Sequence, residues 1–373
     1  MPGLRAGSDH NQALRPIAYS RATTAVYITI DTEYAASLPG VGGPGTRAEN
    51  FARSIRCDTL SGPVGTEYQM DVMDRHGVKG VFFVDPMPAL LWGVAAIEDV
   101  VGPIVARGHD VQLHCHTEWL TLAGNDPLRQ RLAGNLTGQH IKNFPFEEQC
   151  RILGWARDTL VAAGAPAPIA FRAGNYGAND DTLRALAEIG IPYDTSHAPA
   201  LAGAGDCDIS LGAEVRRPVL HHGTIELPIA CIEDFGGKLR HGQITALTLA
   251  ELVGMVEHAQ TNRIGAVTLV SHSFELMSRD RVRRNRVVAH RFERFCRILG
   301  AMEHCRSATY GMATPKVEQS SDAPVMAFNP VMGSARLAEQ AVSNVLYASS
   351  ARLRAKQSLV LGLAMLGGST MAV

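Results

Sequence analysis

Seven short bursts of apolar, β-favouring residues recur along this 373-residue chain, separated by longer stretches of helical spacing. The bursts are AVYITID (25–31), GVFFV (80–84), DVQLHCH (110–116), IAFRAG (169–174), IPYD (191–194), TIELPI (224–229) and AVTLVSHS (266–273). Helical patterns cover 65–75, 91–106, 145–163, 180–189, 247–259 and 281–299, and Gly77, Gly108 and Gly190 stand where helices stop. Parallel strands need a long crossover between them, so strict alternation of this kind predicts an α/β fold with a parallel sheet. About seven such units exceed half of a doubly wound sheet and approach a barrel. With 46% hydrophobic residues the chain can bury a core of that size.

In a parallel barrel the C-terminal strand ends converge on one mouth, where chemistry collects. Polar residues close five of the seven bursts: Asp31 and Glu33, His114 and His116, Arg172, Asp194, and His272. Side chains alternate along a strand, so Asp31 and Glu33 share a face, as do His114 and His116. Two imidazoles and a carboxylate from different strands suit a borderline divalent cation such as zinc, with positions left open for water and substrate. A second carboxylate then serves as base, His272 as acid, and Arg172 keeps a carboxylate ionised. Each residue alone has an ordinary structural role, Asp31 as a turn former and a lone histidine as a hydrogen-bonded strand end. The coincidence of five strand ends points to metal-assisted hydrolysis. His109 follows Gly108 in a turn, and His221 and His222 precede a strand instead of ending one, so they rank lower.

A net charge of −1 gives no electrostatic footprint for nucleic acid or an acidic membrane surface. The dense run RDRVRRNR (279–286) reads as the solvated start of a helix. Seven scattered cysteines without a CxxC pair read as reduced thiols, which with no apolar leader in the first twenty residues predicts a cytoplasmic location. No stretch is long enough to span a bilayer, and the closing SLVLGLAMLGG is too short. The stretch 121–143, rich in Gly, Asn and Gln, is long for a connection and reads as a functional loop.

The ordered set TIDTE, GHDVQLHCHTEW, AFRAGNYGANDDTLRALAEIGIPYDTS and TLVSHSFEL resembles the polysaccharide deacetylases, the NodB homology domain of carbohydrate esterase family four, in a divergent branch. The resemblance spans roughly 25–313 and implies a distorted (β/α)7 TIM-like barrel of the glycoside hydrolase/deacetylase type. It leaves 1–24 as a flexible N-terminus, 314–333 as a linker and 334–373 as a helical or disordered tail. It implies removal of acetyl groups from an N-acetylated carbohydrate with a divalent metal, zinc first. The first motif of the family has adjacent aspartates; here Thr32 intervenes, so Asp31 matches the base and Glu33 a metal ligand, with exchange of the two roles open. The second motif has two histidines four apart. Here His114 and His116 match in a shortened form, and Glu118 replaces His116 if the spacing is kept. Arg172 matches the arginine that braces the base, Asn175 or Tyr176 the oxyanion donor, Asp194 the aspartate that tunes the acid, and His272 the acid. Two other functions are compatible with the same residues: a catalytically silent glycan-binding protein of a surface-polysaccharide system, and a hydrolase of another linear or cyclic amide.

Overall fold

The computed structural model describes residues 23–132, 138–203, 205–318 and 320–347. Nearly all of the expected flexible N-terminus, the tail beyond 347 and part of the long loop lie outside the described residues.

Seven strands run parallel: β1 (Thr24–Thr32), β2 (Val81–Val84), β3 (Asp110–Cys115), β4 (Ala170–Ala173), β5 (Tyr193–Asp194), β6 (Thr224–Glu226) and β7 (Ala266–His272). Their order is β7-β1-β2-β3-β4-β5-β6, every neighbouring pair parallel. The strand β8 (Cys305–Ser307) adds parallel to the start of β1, and the edge strand Val219–His221 forms a hairpin with β6. This is the (β/α)7 architecture that the alternation demands, and it is distorted at one seam. Between β6 and β7 no regular ladder forms. The gap is spanned instead by the Ala230 N–H to the Thr268 carbonyl at 3.0 Å, the Ile244 N–H to Val270 at 3.0 Å, and the Val270 N–H to Gly242 at 2.9 Å.

Alternation along the strands separates two cores. Val26, Ile28 and Ile30 of β1, with Phe82, Val84, Val111, Leu113 and Phe171, face the surrounding helices. The intervening residues Ala25, Tyr27, Val81, Phe83, Ala170 and Tyr193 face the barrel interior, where they meet Tyr310. The Tyr310 ring packs 5.3 Å from Tyr27, 5.6 Å from Tyr193 and 6.3 Å from Phe83, centroid to centroid. These rings fill the interior, so the barrel is solid below its mouth. Asp31, after Thr29 in the inward series of β1, therefore emerges above an aromatic floor.

The outer helices include α1 (Thr66–Arg75), α2 (Ala95–Ala106), α3 (Phe146–Ala162), α4 (Asp180–Glu188), α5 (Leu249–Thr261) and α6 (Arg286–Ala301). The helix expected over 91–106 is split, because Gly93 takes φ +74 after a short turn at Ala89–Trp92. The arginine-rich run 279–286 lies mostly in the turn before α6. That helix starts only where the Asn285 side chain accepts the Val288 N–H, a cap that stops it extending backward. A last helix, α7 (Pro330–Tyr347), packs on the barrel through the buried Arg336, which pairs with Asp234 and Glu251. No helix among the described residues is long and apolar enough to cross a membrane.

Candidate metal centre and active site

Register assembles the cleft. Asp31 lies beside His272 across β1 and β7, and His114 lies beside Arg172 across β3 and β4. Glu33 and His116 directly follow β1 and β3, and both reach the same point. The Glu33 Oε2 atom is 2.5 Å from His116 Nε2 and 3.2 Å from His114 Nε2. It is buried and makes no well-directed hydrogen bond.

The far side of each imidazole is fixed. His114 Nδ1–H donates to the Arg172 carbonyl at 2.7 Å, and His116 Nδ1–H donates to the Glu118 carboxylate at 3.0 Å. A carbonyl and a carboxylate only accept, so each Nε2 is left to face Glu33. That is the outer support that metal-bound histidines carry. Glu118 thus lies behind the His116 ring, on the side away from Glu33. One oxygen and two ring nitrogens converging in this way, with an orphaned buried carboxylate oxygen among them, fit a zinc-type cation. The electrostatics agree. Burial pushes Glu33 up, yet the charge of His116 and both imidazoles hold it well below the usual carboxylate range. Burial opposes the His116 charge, but Glu33 and Glu118 lift it well above its ordinary value.

The backbone makes room for this cluster at one glycine. A Cβ on Gly174 would meet the Cys115 carbonyl at 2.8 Å and the His116 ring at 2.8 Å, so no larger residue fits beside that ligand. The next two residues, Asn175 and Tyr176, both adopt positive φ, +54 and +58. Such strain persists only where the surroundings impose it, and it is frequent at functional sites. Asn175 is exposed and Tyr176 half-buried against Ala198, Ile229 and Val270.

On the opposite side, Arg172 is wholly buried and donates to Asp31 Oδ1 at 2.6 Å. The same guanidinium donates through Nε to the Thr195 carbonyl at 3.3 Å and lies 4.5 Å over the Phe83 ring. Burial disfavours its charge, but Asp31 outweighs that and raises its pKa further. Asp31 Oδ2 is 3.8 Å from His272 Nε2.

Asp194 is not brought to His272. It is in register with Phe171, an outer-core residue, one position short of Arg172. Its carboxylate accepts from the Ser196 N–H at 3.0 Å and from Ser196 Oγ at 2.8 Å, and it pairs with the buried Glu226. Burial raises Asp194, and burial with the Asp194 charge raises Glu226 well above its ordinary value. The carboxylate on His272 is Glu275, whose Oε1 accepts from Nδ1 at 2.8 Å. Gln243 and Ser271 hold Glu275 in turn. Burial pushes His272 down, but the hydrogen bond and charge of Glu275, with Asp31 and Glu33, raise it to about 9.

Two residues of the cleft are missing from the sequence reading. Glu275 sits in the turn after β7, three positions from His272, in a stretch with no periodic signal. Asp85 does follow the strand-end rule, directly after β2. Burial pushes it up to about 7 against the charges of His116 and His114, and its Oδ1 accepts from the Met87 N–H at 3.1 Å and the His116 N–H at 3.4 Å.

No family model and no curated protein sequence matches the chain. The fold is similar to solved structures of low identity. One is a candidate polysaccharide deacetylase from Mycobacterium smegmatis, at 18% identity and a TM-score of 0.48, covering 82% of this chain and 97% of that one. Another is a family 4 carbohydrate esterase from Streptomyces lividans, at 11% identity and a TM-score of 0.37, covering 81% and 98%. A third is an allantoinase, at 11% identity and a TM-score of 0.45, covering 82% and 95%.

Proposed function

We propose that the chain is a metal-dependent amide deacetylase acting on an N-acetylated sugar or polysaccharide. The observation that carries this reading is the pairing of two units in one cleft: the Glu33–His114–His116 cluster, and an Asp31–Arg172 pair facing His272. A divalent cation held by Glu33, His114 and His116 supplies Lewis-acid polarisation of the acyl carbonyl and acidification of water. Arg172 holds Asp31 in place, so Asp31 takes the proton as water attacks. The backbone of the Asn175–Tyr176 turn donates to the developing oxyanion. His272, kept protonated by Glu275, gives its proton to the departing sugar amine. Arg172 and Glu275 touch the base and the acid and act as positioning residues.

Acetate release from chitooligosaccharides and from nucleotide-linked N-acetyl sugars, measured on zinc-loaded protein, tests the assignment. Turnover that vanishes in Asp31→Asn supports it, and undiminished activity in that variant removes the proposed base. Glycan binding without acetate release would identify a silent binding protein, and release from a cyclic amide alone would move the substrate class.

Metal uptake itself should depend on pH. In the ion-free cluster His116 holds its proton well above the ordinary imidazole value, so a cation must displace that proton. Zinc affinity is expected to rise with pH and to go on rising above the ordinary imidazole value of about 6.5, with proton release on binding. Calorimetry in buffers of different ionisation enthalpy reads both, and pH-independent binding would count against this donor set.

A further inference from the structure

A second cluster of ligating side chains lies outside the cleft, between α4 and the hairpin that leads into β6. Asp180 is the first residue of α4, and His221 and His222 come from the hairpin. His221 Nε2 is 3.4 Å from Asp180 Oδ1, and His222 Nε2 is 3.2 Å from Asp180 Oδ2. One donor atom from each of the three lies within 4.8 Å of the others. Ser210 Oγ completes the group, 2.7 Å from Asp180 Oδ2 and 3.1 Å from His221 Nε2.

The hairpin turn brings the two imidazoles side by side, their ring centroids 4.2 Å apart. His221 pairs with Thr224, so His222 and Gly223 form a two-residue loop, with φ +47 and +87. Both loop positions of such a turn require positive φ, which Gly takes freely and which His, like Asn and Asp, enters more readily than most residues. The tip is also fastened to the helix. Thr224 Oγ1 donates to the Leu183 carbonyl at 2.7 Å, and a Cβ on Gly223 would approach Ala187 to 3.0 Å. The two histidines are therefore carried on a docked, rigid element. Arg184 stands near, 3.3 Å from His222 Nδ1, but its charge is paired with Asp181 at 2.5 Å.

We propose that Asp180, His221 and His222 bind a second divalent transition-metal ion, with Ser210 or water in the fourth position, clasping the hairpin to α4. Two imidazoles and one carboxylate are a donor set of borderline softness, suited to zinc and unsuited to magnesium or calcium. The ion is structural, and the site is separate from the proposed chemistry of the cleft.

The test is zinc stoichiometry by equilibrium dialysis and metal analysis on the full chain. His222→Asn removes a ligand while supplying the residue the turn prefers, so the variant keeps its fold. It should bind one zinc fewer than the wild type, whatever the cleft binds. Added zinc should raise the Tm of a His114→Ala/His116→Ala variant and leave it unchanged once His222→Asn is added. Equal stoichiometry in the wild type and His222→Asn would overturn the proposal, as would a zinc-induced Tm rise that survives His222→Asn.

Discussion

His272→Ala is expected to lower turnover by about 100- to 10,000-fold while leaving the zinc content of the cleft unchanged. The two effects separate because His272 touches Asp31 and Glu275 but no member of the Glu33–His114–His116 cluster. The leaving amine of an amide needs a proton, and no other imidazole faces Asp31 among the described contacts. Glu275→Gln gives the same prediction a pH axis. Glu275 is the main group lifting His272 to about 9, so the wild type should keep its acid form through neutrality and lose activity only as pH rises past about 9. Without that carboxylate the imidazole falls back toward its ordinary value of about 6.5, and the alkaline limb of the rate profile should move down with it. A limb that stays in place would show that Glu275 does not set the acid. A parallel loss of zinc in His272→Ala would place His272 among the ligands.

The largest effect on stability is expected at Arg172. Arg172→Met leaves Asp31 buried and without its partner, and breaking a buried pair from one side costs about 3–5 kcal/mol. Lysine should not restore it. The guanidinium meets Asp31, the Thr195 carbonyl and the face of Phe83 together, and a point-like ammonium cannot repeat that geometry. Urea unfolding of Arg172→Met, Asp31→Asn and the double variant would measure the coupling. If the loss comes from the orphaned carboxylate, the double variant should be less destabilised than the sum of the singles. Strict additivity would mean that Arg172 stabilises through packing alone.

Strand ends were the legible part of this cleft. Inward alternation and parallel register place Asp31, His114, Arg172 and His272 around one opening, and both can be read from burst spacing and a period of two. Contacts made by turns were not legible. Asp194 matched a familial pattern in sequence, yet a one-residue offset in register set it beside Phe171, and the carboxylate that meets His272 is Glu275, in a turn. The choice between His116 and Glu118 likewise depended on geometry, since only the structure puts Glu118 behind the ring and Glu33 before it. His221 and His222 were ranked low because they precede a strand. Their partner Asp180 is some forty positions earlier and reaches them only through the docking of the hairpin on α4.

Tyr310 closes the barrel axis beneath the cleft. With Tyr27, Phe83 and Tyr193 packed around that ring, nothing passes through the axis. If the proposed function holds, a long glycan would have to rest across the opening, never threaded along the axis. A chain lying crosswise presents internal residues as readily as terminal ones, so its ends need not be free for an acetyl group to reach the cleft.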